Sequence, residues 1–313
     1  MADAAGAEVG VEQVPSPVIS LHATPEEVAR EVRHEREQHQ RVMEIVGGPG
    51  GISIAALKEF WAYREVLTAF VMRMVKVKYK QAIVGIGWAV VQPLVSALMF
   101  TFFLGKLIKA PSEGVPYLLF ALAGMVLWTF FAGAVSGAME SLISDQTLIR
   151  KVFFPREILP IANILAGVVD FVPGLVILGV VAALFGYWPS LSWIALPIPL
   201  FLVFIAAAGL GMGLSSLNVY YRDVRYVLPF VLQLGLFASP VVYPLSKIPA
   251  GWRTLYAVAN PVATAIDDVR RIVLHHGWPD WSTTTMAFIW AVVLLVGSYS
   301  LFKRLERGFA DRI

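Results

Sequence analysis

The 313-residue sequence predicts an all-α, polytopic membrane protein, and two observations carry that reading. Residues 81–105, 115–139, 171–221, 226–246 and 281–302 contain no charged side chain and no histidine. A bilayer core asks for about 20 apolar residues per helical crossing, and the third stretch is long enough for more than one. Hydrophobic residues make up 58% of the chain and charged residues 15%, which excludes a soluble-domain reading of the whole.

Dividing the long stretch gives six spans, at 82–105, 116–139, 158–185, 194–217, 226–245 and 283–303. Helices are expected because lipid offers backbone groups no partners, so each run must satisfy its own hydrogen bonds. Lys and Arg near span ends stay on the cytoplasmic side. With both termini inside, the inner segments hold Arg30 through Lys80, Arg150, Lys151, Arg156, Arg222, Arg225, Lys303, Arg304, Arg307 and Arg312. Only Lys106, Lys109, Lys247, Arg253, Arg270 and Arg271 then fall outside. Topology thus accounts for the net charge of +3, which gives no reason to expect a nucleic-acid partner.

Taken in order, residues 1–51 form a polar extension ending in a Gly-Gly-Pro-Gly-Gly run, expected to be mobile and cytoplasmic. It has no apolar h-region, so a cleaved leader is not expected. Over 52–81, Ile52, Ala55, Ala56, Phe60, Tyr63, Leu67 and Phe70 recur at helical spacing among charges, which predicts an amphipathic helix lying on the cytoplasmic face. Arg73, Lys76 and Lys80 make a basic stripe leading into the first span. The stripe reads as an orientation anchor or as a site for a lipid headgroup or substrate phosphate.

The six-span unit covers 82–303, and residues 304–313 form a cytoplasmic tail. Between spans two and three a short, stiff, exposed helix is expected. Ser144 or Asp145 caps its start, Arg150 and Lys151 suit its end, and Pro155 keeps Phe154 out of helical geometry. The stretch from Tyr243 to Ser282 is proline-broken and half apolar, with Trp252 and a run of Asp267, Asp268, Arg270 and Arg271. It suits two short helices dipping into the outer leaflet, re-entrant between spans five and six.

Few residues carry chemistry. Asp170 is the one acid deep inside a span, expected to make a polar contact with Asn163, a Tyr or a Trp, to line a pathway, or to relay protons. No residue is marked as catalytic, and the chain has no cysteine and no phosphate loop. His275 and His276 are adjacent, a poor arrangement for one metal ion, so no metal site is expected. Aromatic residues including Trp88, Phe100, Phe103, Trp128, Phe230, Phe237 and Tyr243 serve as interfacial belts and packing, or as stacking surfaces for sugar rings in a wide channel. The two halves show no internal repeat, which weakens an inverted-repeat carrier.

Lys78-Tyr79-Lys80-Gln81 followed by Gly85-x-Gly87-Trp88-Ala89 and Gln92-Pro93 resembles the start of ABC-2-type permeases that export polysaccharides, the O-antigen and teichoic-acid group. The runs Lys151–Pro160, Asn218–Val224, Ser239–Pro244 and Asn260-Pro261 also resemble that group, in the same order. The likeness runs from about Leu57 to the C-terminus and leaves residues 1–50 outside. Met74 stands where these permeases usually carry an acid.

The resemblance implies a homodimer whose central channel, lined by Trp88, Phe100, Phe103, Phe230, Phe237 and Tyr243, passes a lipid-linked glycan across the inner membrane. It implies two partner ATPases that hold the ATP and Mg, no cofactor on this chain, and a cytoplasmic entrance at Arg73, Lys76 and Lys80. Ser144, Asp145, Arg150, Lys151, Phe153, Phe154 and Arg156 would couple to the ATPase, with Phe153 and Phe154 exposed for docking. Trp252, Asp267, Asp268, Arg270 and Arg271 would form an outer gate, the charged residues at its wet end. The competing readings are an ABC-2 exporter of a smaller lipid or drug, a membrane glycosyl- or acyltransferase, and a proton-coupled carrier that needs Asp170.

Overall fold

The computed structural model describes Lys58 and residues 60–80, 85–152 and 154–309, all within the unit Gly51–Ile313. The described residues are helical, without a strand. Helix α1 is Arg64–Lys80, α2 is Trp88–Phe100 continued by a π-helical turn over Thr101–Leu107, and α3 is Tyr117–Ser144. The short α4 (Gln146–Lys151) leads to α5 (Ile158–Leu184). A 3-10 turn over Leu191–Ala195 precedes α6 (Pro197–Tyr220). Then come α7 (Val224–Ala238), α8 (Ala250–Ala259), α9 (Pro261–Leu274) and α10 (Trp281–Glu306).

Five segments are long and apolar enough to cross a membrane: Trp88–Leu107, α3, α5, Leu191–Tyr220 and α10. The fifth expected span differs. Its helix α7 has 15 residues, a length of about 22 Å at 1.5 Å per residue, against a hydrocarbon core of about 30 Å. The helix stops at Ala238 because Pro240 disfavours helical geometry at Ser239, which is extended at ψ 151°. Beyond it the chain runs through Ser239–Pro244 without helix, yet Ser239, Val241 and Val242 are buried.

Helix α3 is the hub. It packs against α2, α5, α6 and α9, and most of its residues are buried. A charge-free run without proline lets it continue for 28 residues, until its last turns reach the polar end at Glu140 and Ser144. Helix α9 begins with Asn260, whose side chain accepts from the Ala263 backbone N–H at 3.3 Å, and with Pro261 in the first turn, where its missing N–H costs nothing. It is buried along nearly its whole length, whereas the adjoining α8 buries only Ala257.

Residues 1–51 and most of the amphipathic stretch before Phe60 lie outside the described residues. Its continuation α1 packs on α5 and buries Phe70.

Candidate functional site

A cavity of about 1010 Å³ opens between α1, α2, α3 and α5, with Leu236 of α7 on its edge. Its polar lining is assembled by two ion pairs that pin α1 to the bundle. The Lys78 ammonium contacts Asp170 of α5, and Arg73 Nη1 lies 3.1 Å from Asp145 Oδ1 at the α3–α4 junction. In each pair the cation keeps more than half of its surface open, 60% for Lys78 and 55% for Arg73, while the carboxylate is tucked in at 23% and 15%. Asp170 is therefore neutralised by a residue 92 positions earlier in the chain, and not by Asn163, a Tyr or a Trp. Asn163 instead donates to the Leu159 carbonyl at 3.1 Å.

Neutral donors and acceptors face the same space from three helices, with Gln92 and Ser96 on α2, Thr129 and Ser136 on α3, and Asn163 on α5. Aromatic rings stand beside them. Phe130 and Phe171 stack at 4.5 Å between centroids, and Trp88 and Trp128 also line the cavity. Hydroxyl-bearing rings suit such a surface, because polar edges meet amides and carboxylates while apolar faces lie on the aromatics.

Of the aromatic residues expected in a channel, Trp88 lines this cavity and Phe100, Phe103, Phe230, Phe237 and Tyr243 do not. Phe103, Phe230 and Phe237 are exposed on the surfaces of α2 and α7. Phe100 packs partly on the core, and the Tyr243 hydroxyl meets Tyr256 Oη at 3.1 Å. Of the basic stripe, Arg73 faces the cavity, while Lys76 and Lys80 are exposed outside it.

The segment around α4 departs from expectation in two respects. Phe154 is not exposed: it is buried against Phe70 of α1, with ring centroids 5.4 Å apart, because the turn at Pro155 folds its side chain under the bundle. Asp145 occupies the N-cap position of α4 as expected, but its carboxylate is held by Arg73 and makes no cap bond. Ser144 is the last residue of α3 and lines the cavity. Arg156 turns inward, donating to the Glu306 carbonyl at 2.9 Å with its guanidinium 5.8 Å from the Phe309 ring centre. Beside it, buried Glu157 and half-buried Glu306 share Lys303 at 2.8 and 3.0 Å, tying the start of α5 to the end of α10. The side chains of Arg150 and Lys151, and all of Phe153, lie outside the described residues.

At the α8–α9 end the expected wet cluster divides in two. Asp267 and Arg271 form a surface pair at 2.8 Å, and Trp252 is exposed. Asp268 and Arg270 are buried, contrary to the expectation that they face water, because α9 turns that face into the bundle. Arg270 donates to the carbonyls of Pro240 (2.6 Å), Val241 (2.6 Å) and Phe120 (3.0 Å), and the Tyr117 hydroxyl donates to Val242 O at 2.6 Å. These bonds satisfy the unwound backbone after α7, as a buried segment without helix requires. Burial lowers the Arg270 pKa to about 9, which leaves it protonated at neutral pH. Asp268 accepts from Thr284 Oγ1 at 2.6 Å and from the Asp280 N–H at 3.2 Å, while burial raises its carboxyl to about 6.

Sequence reasoning missed Lys78, Glu157, Lys303 and Tyr117. Lys78 had a signal, since an acid within a span needs a counter-charge and the first basic helix is a ready source. Among the described residues no group of three His, Cys, Asp or Glu side chains could hold a metal ion.

Residues 65–274 match the profile of the family described as ABC-2 type transporter. The O-antigen export system permease protein RfbA of Myxococcus xanthus is 26% identical over 261 residues, spanning 83% of this chain and 100% of the relative. A Klebsiella pneumoniae protein of the same name is 26% identical over 251 residues, 79% of this chain and 94% of the relative. The polysialic acid transport protein KpsM of Escherichia coli is 21% identical over 220 residues, 69% of this chain and 83% of the relative.

Proposed function

The chain belongs to the ABC-2 type transporter family, and on that premise we propose that it is the permease subunit of an ATP-driven exporter of a lipid-linked polysaccharide. The observation that carries the cargo class is the cavity, which brings amides, hydroxyls and carboxylates together with flat aromatic rings, a combination that suits sugars. The names of the relatives, O-antigen export and polysialic acid transport, support the same reading. A proton-coupled carrier is disfavoured because Asp170 is already paired with Lys78.

The sequence holds no phosphate loop, so ATP and Mg belong to a partner ATPase, of which two copies serve two copies of this chain. The exposed apolar faces of α2 and α7, with Phe103, Phe230 and Phe237, suit the second copy and the channel between them. The sixth crossing is α7 completed by the unwound Ser239–Pro244. Both termini and α4 are cytoplasmic in the inner membrane, with α4 next to the ATPase and α1 offering Lys76 and Lys80 to the anionic head of the incoming lipid. Of the outer elements, α8 is the movable part of a gate and α9 its fixed post, since α8 buries one residue and α9 nearly all.

Two measurements test this. Purified alone, the chain hydrolyses no ATP, and a tagged copy brings down a phosphate-loop ATPase. Removing the gene abolishes surface polysaccharide, and re-expression restores it. Robust hydrolysis by the pure chain, or unchanged surface glycan in the deletion strain, defeats the reading.

A further inference from the structure

Two cations and three carboxylates line the cavity. Arg73 and Asp145 cancel at 3.1 Å, and Lys78 and Asp170 cancel in contact. Glu140, one helical turn before Ser144 on α3, is exposed to the same space and has no ion pair or hydrogen bond among the described residues. The described lining therefore carries one negative charge in excess, placed at the polar end of the hub helix. The uncharged polar groups of the same lining are amides and hydroxyls.

We propose that this excess makes the cavity selective for uncharged sugar units, with Glu140 as the side chain that sets the selectivity; the proposal rests on the polysaccharide reading above. A carboxylate accepts hydrogen bonds from sugar hydroxyls, so Glu140 welcomes a neutral ring. A uronic or sialic acid unit, or one bearing phosphate, that enters the cavity brings a like charge to Glu140. Low-dielectric walls focus the field of that carboxylate into the cleft, so the repulsion is larger here than at an open surface. The two cations cannot offset it, since each already has a carboxylate in contact. Discrimination thus comes from a repulsive element set against the wrong cargo, which needs no closer fit to the right one. The single phosphate-bearing head of the lipid anchor is a separate matter, because Lys76 and Lys80 stand exposed outside the cavity to receive it.

The test uses the complete complex with its ATPase in nanodiscs of zwitterionic lipid. It is titrated with a neutral gluco-oligosaccharide and with a glucuronic acid oligomer of equal length. At low salt the neutral oligomer binds about tenfold more tightly, and the gap narrows at about 0.5 M salt as screening sets in. E140Q narrows the gap by strengthening binding of the acidic oligomer, and E140K closes or inverts it. Equal affinities in the wild type, or a gap that E140K leaves in place, overturn the assignment of Glu140 while leaving a glycan cargo standing. If neither oligomer binds, the polysaccharide reading itself fails and the inference falls with it.

Discussion

The Arg270 guanidinium sits over the Phe120 ring, 3.4 Å from its centre, and also donates to the Phe120 backbone carbonyl at 3.0 Å. One face of the cation is thus spent on the hub helix α3, while its other donors hold the unwound chain after α7. Replacing Arg270 with Gln leaves several buried carbonyls without a donor, at a cost of roughly 3 kcal/mol. Arg270→Lys recovers part of this, because a point donor cannot fork across Pro240 and Val241. Thermal unfolding in detergent checks the order wild type, Lys, Gln, and a Gln variant as stable as wild type would refute the clamp.

Gly124 lets this approach happen. A Cβ there would stand 2.7 Å from Val241 O and 2.9 Å from Arg270 Nη2, so α3 and the unwound segment would have to separate. Gly124→Ala is expected to destabilise by about 1 to 3 kcal/mol through overpacking. An additive response in the Gly124→Ala, Arg270→Gln double variant would show that the two positions are uncoupled, against this account.

Asp268 makes stability depend on pH. Its folded pKa of about 6 lies above the unfolded value of 3.8, so the folded chain holds the proton more tightly. Its contribution is fully present below the unfolded pKa and is lost as pH rises through about 6. Melting temperatures collected from pH 4 to 7 should fall across that window in the wild type and fall less in Asp268→Asn. Parallel curves for the two proteins would assign the slope to other groups.

The Lys78–Asp170 pair is half open to the cavity, which limits its worth. A double-mutant cycle with Lys78→Met and Asp170→Asn should return a coupling of roughly 0.5 to 1 kcal/mol, the range for solvated pairs. Strict additivity would mean that the contact holds nothing together. A proton relay makes a different forecast, in which Asp170→Asn alone abolishes export whatever stands at position 78.

At the other end of the bundle, Lys303 sits between two carboxylates. Lys303→Met leaves Glu157 and Glu306 without their shared ion-pair partner, with only Arg156 nearby, and should cost about 3 kcal/mol. Glu157→Gln should cost less, since Glu306 still serves the ammonium. Reversal of that order in an unfolding series would place the stabilisation elsewhere.

The long crossings were legible because charge-free runs have one solution in lipid. The end of α7 was not: Pro240 marks it, but the run from 226 to 246 is equally apolar on both sides of that proline and reads as one span. Hydropathy does not distinguish a helix from an unwound strand of chain whose carbonyls are served from elsewhere, and the servers, Arg270 and Tyr117, are remote in sequence. The same remoteness hid Lys78 from Asp170. For α9 the composition showed four charges, while which face turns inward depends on helices that no local pattern describes. Phe154 was misjudged as exposed because its cover, Phe70, comes from α1.

Helix α3 ends up enclosed by α2, α5, α6 and α9, three of which follow it in the chain. During synthesis it must therefore cross the bilayer before most of its final neighbours exist, and wait there in contact with acyl chains. Its surface has to be acceptable to two solvents in succession, lipid first and protein later. That accounts for a thoroughly buried helix with no basic residue and with its one acid, Glu140, held back to the last turns. A polar core of the kind a late-arriving helix could carry would strand this one before assembly began.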